Sequence, residues 1–272
     1  MVRVREKGVA MDRKVRIRTD NTPPSNGYRS KGLVAGGLVF TAGWIGVPMV
    51  PPGRAAERPE PAETLEEQTN LICQYLEQVT LAGGSTKEQV VEVSAFVADP
   101  DHEQAVRDLV REYLGFQPPL FNYYNVQGVA RDAMLELDWI AVADPDISTE
   151  EAVEILRPFA HDRGVFTSGP FVMLNGLAAP GETLGEQTVN LMAKADEQLK
   201  KVGSSLSSLV KMNVFYVTPT YPGDYPQFNE ATKRVFANFE PPTRSVVRAP
   251  RITDPYLLRI DYLALGPEPS HS

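Results

Sequence analysis

Side chains that commonly carry catalysis or hold metal ions are sparse in this sequence and far apart. Cys73 is the one cysteine, which excludes an intrachain disulfide and any zinc site built from several cysteines. The three histidines, His102, His161 and His271, form no spaced pair. We therefore expect no metal site.

Motifs for nucleophilic catalysis and for phosphate binding are missing as well. Ser168 stands in no G-x-S-x-G elbow and has no histidine near it in sequence, so a serine hydrolase triad is not expected. No G-x-G-x-x-G or Walker loop occurs, and these are the usual sites for nucleotides. The sequence therefore predicts no cofactor.

The net charge and the hydropathy of the chain exclude several classes of binding partner. The chain of 272 residues has 27 Lys and Arg against 35 Asp and Glu, a net charge of −8, which argues against nucleic acid held by phosphate contacts. No apolar run approaches the roughly 18 residues that a membrane span needs. The basic segment 1–20 has no apolar stretch of a secretory signal, so we expect a cytoplasmic protein that binds small molecules.

The sequence contains two copies of one pattern, separated by about 120 residues. Glu63–Thr69 recurs as Glu182–Thr188 with six of seven positions identical. Two further pairs follow the same order: Val39–Gly43 with Val165–Gly169, and Phe116–Pro119 with Phe239–Pro242. A spacing of this length indicates a duplicated domain, and we place the domains at residues 21–145 and 151–267.

Each copy has the same order of predicted elements. The spacings Thr64-x-x-Glu67 and Thr183-x-x-Glu186 are capping boxes that begin helices. Runs of β-branched and aromatic residues predict strands, and the last strand of each copy alternates apolar with charged residues. This order predicts an α+β fold in which each domain is a mixed sheet with two helices on one face.

The landmarks together resemble the RidA (YjgF) family of enamine/imine deaminases. The matching residues are Tyr28, Phe166–Gly169, Gln187-Thr188, Val210-Lys211, Phe228-Asn229 and Pro242–Ser245. The resemblance covers nearly the whole chain twice, and it implies a chorismate-mutase-like fold for each domain. It also implies assembly in threes, with ligand sites between neighbouring domains.

The resemblance implies site residues that are divided between the copies. The family's carboxylate-binding arginine matches Arg244, and its helix asparagine matches Asn229, both in the second copy. The acidic residue and the early tyrosine match Glu136 and Tyr28 in the first copy. Ser168 and Gly169 of the second copy match the family's S-G pair and are expected to contact substrate.

Arg244, Glu136 and Tyr28 are the predicted catalytic residues, and Asn229 is a predicted substrate contact. A planar guanidinium can hold a carboxylate through two parallel hydrogen bonds, and a carboxylate can activate water as a general base. Plainer interpretations stay open: Arg244 as a surface ion pair, Glu136 as a solvent-facing strand residue, Tyr28 as a core or loop aromatic, and Asn229 as a helix-face residue.

The remaining two candidates depart from the family pattern. Arg259 stands in the second copy where the first has Glu136; near Arg244 it would suit a dicarboxylate or phosphate-bearing ligand, or it pairs with Asp261. Phe121 stands in the first copy where the second has Arg244. It would line an apolar pocket or fill a site that is packed shut.

Two functions of different class fit these residues. The first is an enamine or imine deaminase-like hydrolase for a small carboxylate-bearing metabolite. One form of this hypothesis is an enzyme specific for the metabolite of a single pathway. The second is a non-catalytic carboxylate-binding or assembly protein whose sites have drifted. Ribonuclease activity, a third option, is disfavoured by the net charge. Each chain has two domains, and the resemblance implies that domains assemble in groups of three. Six domains from three chains are the fewest that satisfy both conditions, so we expect a homotrimer.

Overall fold

The computed structural model describes residues 13–24, 29–50, 59–161, 164–217, 225–253 and 255–267. The chain forms two consecutive units, each a mixed sheet with two helices on one face, as the sequence predicts. The two sheets meet through their other faces, and that contact positions the candidate site.

The described residues of the first unit form seven strands and two helices. They are β1 Lys14–Ile17, β2 Gly32–Ala35, β3 Leu38–Thr41, β4 Trp44–Ile45, α1 Leu65–Ala82, β5 Val90–Val97, α2 Glu103–Leu114, β6 Leu120–Asn125 and β7 Leu135–Val142. The strand order is β1-β2-β3-β7-β5-β6, with β4 also paired to β7. The β5–β6 pair is parallel, and the others are antiparallel.

The second unit repeats this arrangement without counterparts of β1 and β4. Its elements are α3 Thr149–His161, β8 Gly164–Ser168, β9 Phe171–Leu177, α4 Leu184–Lys201, β10 Leu209–Tyr216, α5 Tyr225–Val235, β11 Thr243–Arg248 and β12 Leu258–Leu265. The strand order is β11-β10-β12-β9-β8, and β10–β11 is the parallel pair. The edge strand β11 carries Arg244.

Local signals explain where the long helices begin. The Thr64 side chain accepts the N–H of Glu67, and the Glu67 carboxylate accepts the N–H of Thr64, which completes the predicted capping box of α1. Thr183 caps α4 through the N–H of Glu186. Both helices then pack apolar residues against the sheet of their own unit.

In each unit, the sheet face that points away from the helices α1 and α2, or α4 and α5, is covered by the other unit. An apolar cluster joins β2, β3 and β7 of the first unit to β9 and β12 of the second, with α3 packed among them. Phe40 and Phe171 meet edge to face across this interface, with ring centroids 5.6 Å apart. Burying each such side chain contributes about 1.5–3 kcal/mol, so the two units are held as one body.

This contact overturns one expectation for β7. The alternation of its residues predicts that Glu136 and Asp138 can face solvent, but all eight residues of the strand are buried. The helices cover one face, and the second unit covers the other. The solvent-facing interpretation of Glu136 is therefore wrong.

Two elements lie where the sequence predicts none. Strand β1 precedes the predicted domain start at residue 21, and α3 spans the predicted start of the second domain at residue 151. The proposed boundaries of both domains stay predictions. Among the described helices, none combines the length and hydrophobicity needed to cross a lipid bilayer.

Candidate functional site

The candidate site lies where the first unit covers the outer edge of β11. The N–H of Gly43 donates to the carbonyl of Arg244 at 3.1 Å, and the Glu136 Oε1 accepts the N–H of Val246 at 3.2 Å. An edge strand needs partners for such groups, and here the first unit supplies them. The same bonds bring Glu136 of one copy beside Arg244 of the other.

Arg244 is a buried cation held by neutral groups. Its side chain is 2% exposed; Nη1 donates to Thr232 Oγ1 at 3.2 Å and Nη2 to Asn229 Oδ1 at 2.6 Å. The guanidinium also lies 5.3 Å from the ring centroid of Phe228. Thr232 follows Asn229 by three residues and Phe228 by four, so all three partners project from the same side of α5.

The guanidinium of Arg244 retains capacity for an anion. Among the residues that the structure describes, its buried Nε has no hydrogen-bond partner and Arg244 takes part in no ion pair. Burial lowers the pKa of Arg244 below its ordinary value. The surface ion-pair interpretation of Arg244 is therefore wrong, and a ligand carboxylate would complete the site.

Glu136 has the electrostatic setting of a proton acceptor near neutral pH. Its side chain is 4% exposed, and burial raises its pKa to about 7, although Arg29 and the Val246 N–H oppose that rise. Only Oε1 takes part in a hydrogen bond with a described residue, which leaves Oε2 for a water or a ligand.

Gly43 and Arg29 complete the first unit's half of the site. A Cβ at Gly43 would overlap Oε1 of Glu136 and crowd Ser245 Oγ, so the close approach of the two units requires glycine. Arg29 Nη1 donates to the Gly43 carbonyl at 2.8 Å, and its guanidinium lies 5.3 Å from the Trp44 ring centroid. Arg29 thus places a second cation near Glu136.

A buried layer of charged and polar side chains lies beside the site, between the sheets. Lys211 Nζ is 2.7 Å from Asp138 Oδ1, with both side chains fully buried, and Ser245 Oγ donates to Asp138 Oδ2. Burial also raises the pKa of Glu92 to about 7, an effect that Lys211 opposes. This layer ties β7 to β10 and β11 next to Arg244.

Three of the predicted residues come together, and one cannot be placed. Arg244, Glu136 and Asn229 meet at the site, and Asn229 contacts Arg244 instead of only facing solvent from its helix. Tyr28 lies outside the described residues.

The structure does not bring Ser168 and Gly169 to this site, contrary to the sequence-based expectation. They form the turn between β8 and β9, where Ser168 Oγ donates to the Glu154 carbonyl at 3.5 Å. Strands β8 and β11 are opposite edges of a five-stranded sheet, so about 19 Å separates them. The glycine of the site comes from the first copy, as Gly43.

Arg259 is also absent from the Arg244 site. Its guanidinium lies 4.3 Å from the ring centroid of Phe215, on the face of the second sheet that meets the first unit. Arg244 projects from the other face, against α5. The expectation that the two arginines share a ligand is wrong, whereas the pairing with Asp261 is present at 3.6 Å.

Phe121 occupies a packed position in the first unit. The Arg107 guanidinium lies 4.5 Å from the Phe121 ring centroid, and the ring packs against the core between α1, α2 and their sheet. Val106, which stands where the second unit has Asn229, is fully buried in that core. The packed-shut interpretation fits this half better than an apolar pocket.

Comparisons with known proteins agree with the duplication. A family model described as endoribonuclease L-PSP matches residues 19–143 and again 154–265. Reactive Intermediate Deaminase A, chloroplastic, of Arabidopsis thaliana is 25% identical over 126 residues, which are 46% of this chain and 64% of that protein. A RutC family protein of Pyrococcus horikoshii is 24% identical over 125 residues, 46% of this chain and 94% of its own length.

A solved structure shows a similar match. A Rid family protein of Yersinia pestis, described as of unknown function, has 24% identity and a TM-score of 0.42, and covers 47% of this chain and 98% of its own.

Proposed function

Because the chain belongs to the endoribonuclease L-PSP family, which is the RidA (YjgF) family, we propose that the site between its two units hydrolyses a small 2-imino acid or its enamine tautomer. The observation that carries this proposal is Arg244, a buried guanidinium that forms no ion pair with a carboxylate of the described residues and lies beside Glu136. A substrate carboxylate would satisfy the first group, and water would be activated by the second. The Arabidopsis relative bears a deaminase name, which agrees with this chemistry.

The proposed reaction needs only the residues of this site and one water. Arg244 binds the substrate carboxylate, which fixes the imine carbon. Glu136 takes a proton from water as the water oxygen bonds to that carbon, and the π electrons of the C=N bond move to nitrogen. Proton transfer to nitrogen then allows the C–N bond to break, so that ammonia and a 2-oxo acid leave. Asn229 orients the guanidinium, and Arg29 stabilises the ionised form of Glu136.

The pH dependence of ammonia release tests this proposal. With 2-iminobutyrate generated in situ as substrate, we expect kcat/KM to rise with pH through about 7, where Glu136 loses its proton. Arg29 lowers the pKa of Glu136, so Arg29→Gln should move this rise to higher pH. Glu136→Gln should remove the rise and most of the rate.

A matched control and an opposing outcome make the pH test decisive. Arg111, which pairs with Asp108 on the surface of α2, serves as the control, and Arg111→Gln should leave the profile unchanged. A profile that is flat between pH 5 and 9, or unaltered in Arg29→Gln, would remove Glu136 as the base.

A non-catalytic carboxylate binder is the second candidate. It is favoured by the near-complete burial of Arg244 and by the packed counterpart at Phe121. One comparison distinguishes the two candidates. A binder would bind 2-oxobutyrate in a way that depends on Arg244 but would release no ammonia from the imine. Ribonuclease activity remains disfavoured by the net charge of −8.

We propose that three chains assemble into a particle of six domains. Exposed sheet faces are not a reason for this assembly, since the two units of one chain cover each other's inner sheet faces. The implied threefold closure still predicts a homotrimer of about 90 kDa, three times 30.0 kDa. Light scattering after size exclusion measures this mass, and a stable 30 kDa species at micromolar concentration would contradict it.

A further inference from the structure

A second cleft lies in the second unit, between the end of β9 and the segment that joins β11 to β12. It has a volume of about 410 Å³, and its walls include Gly176, Arg251, Thr253, Tyr256 and Arg259. It is separate from the Arg244 site, because Arg259 and Arg244 project from opposite faces of the sheet.

Arg259 is fixed in this cleft without filling its hydrogen-bonding capacity. Phe215 supports the guanidinium from one side, and Asp261 lies at 3.6 Å, too far for a hydrogen bond. The other oxygen of Asp261, Oδ1, already accepts the N–H of Gly176 at 2.5 Å. The buried Nε of Arg259 has no hydrogen-bond partner in the described ranges, so a pre-positioned cation with an unused donor lines the cleft.

The other walls add positive charge and hydroxyl groups. Arg251 is exposed and forms no ion pair with any residue that the structure describes. Thr253 and Tyr256 offer hydroxyls, and the described lining residues include no carboxylate. Two guanidiniums face the cleft and the Asp261 carboxylate beside Arg259 offsets one of them, so the cleft is locally positive in a chain with a net charge of −8.

We propose that this cleft binds a small oxyanion carrying two negative charges, either a phosphate group or a dicarboxylate. Two guanidiniums match two charges, and each can give a pair of parallel hydrogen bonds to an oxyanion. Arg259 occupies the strand position that Glu136 has in the first unit. Duplication has therefore placed opposite charges at matched positions, and the second unit takes an anion where the first handles a proton.

Isothermal titration calorimetry of the full chain with inorganic phosphate, succinate and acetate tests the proposal. We expect phosphate, succinate or both to bind at least about tenfold more tightly than acetate, because acetate carries one charge. Arg259→Met keeps an apolar side chain over Phe215, and Arg251→Met changes an exposed residue. Each should weaken dianion binding at least about tenfold. Tighter binding of phosphate than of succinate indicates a ligand with a phosphate group, and the reverse indicates a dicarboxylate.

Two further variants separate this site from the catalytic proposal. Because the Arg244 site is proposed to take a carboxylate, phosphate is the probe for this comparison: Arg244→Met should leave phosphate binding unchanged, as should Arg157→Met on the surface of α3. Absence of dianion binding by the wild type, unchanged binding in Arg251→Met and Arg259→Met, or loss of phosphate binding in Arg244→Met would each overturn the proposal. If Arg259→Met fails to fold, Arg251→Met decides alone. None of these outcomes depends on imine hydrolysis.

Discussion

Replacing Arg244 by alanine is expected to lower kcat/KM for imine hydrolysis by about 30- to 1000-fold, which corresponds to the loss of roughly 2–4 kcal/mol of binding to the substrate carboxylate. The expected loss is large because the guanidinium is buried and no carboxylate in the described part of the chain forms an ion pair with it. Release of ammonia from 2-iminobutyrate, generated in situ, measures the effect.

Conservative replacement separates charge from geometry at this position. Arg244→Lys keeps the charge but cannot hold a carboxylate with two parallel hydrogen bonds, nor reach Thr232 and Asn229 together. We expect it to recover only part of the rate. Arg157→Ala, at an exposed pair with Glu154, controls for a general effect of losing an arginine. Equal rates in wild type and Arg244→Ala would exclude Arg244 from the mechanism, and no rate in either would favour the binder.

The fold could be predicted because its signals are local and occur twice. Capping residues such as Thr64 and Thr183 act within one helical turn, and β-branched runs such as Val90–Val97 form strands wherever a sheet can accept them. Strand β1 and helix α3 are not predicted from the sequence, because contacts with distant parts of the chain position them. The basic side chains of β1 are positioned by the second unit, where Lys14 Nζ donates to the Leu209 carbonyl at 3.0 Å.

The site could be predicted only as two separate halves. The sequence identifies Glu136 in one copy and Arg244 in the other, but their meeting depends on how two sheets pack, which no local pattern encodes. One signal was available. The first copy keeps the acidic residue of the family site, and the second keeps the arginine. The site glycine should therefore be sought in the copy that contains the acidic residue. That reasoning selects Gly43, whereas matching the motif alone selects Gly169.

Arg29 carries a different lesson. It follows Tyr28 directly in sequence, and nothing in its composition or spacing marks it as a site residue. Its role comes from the fold, which holds it against Gly43 and Trp44 and so places its charge near Glu136. A pKa that depends on such long-range placement requires the tertiary structure.

The contact between the two units depends on polar as well as apolar groups. Asp138 of the first unit faces Lys211 of the second at full burial, and Ser245 donates to the same carboxylate. A buried ion pair of this kind adds little relative to a well-packed apolar pair, but it leaves a costly charge when one member is removed. Its position also sets the register of β11 against β7, and therefore the position of Arg244 relative to Glu136.

Replacing Lys211 by methionine is therefore expected to lower the free energy of unfolding by about 3–5 kcal/mol, because Asp138 would keep a buried charge without a counter-ion. Urea unfolding measures the loss. The double variant Lys211→Met with Asp138→Leu should recover most of it, since no charge is then left unpaired. Glu154→Ala, at an exposed ion pair, should change stability by less than about 1 kcal/mol. Equal stability of wild type and Lys211→Met would mean that the ion pair does not hold the two sheets together.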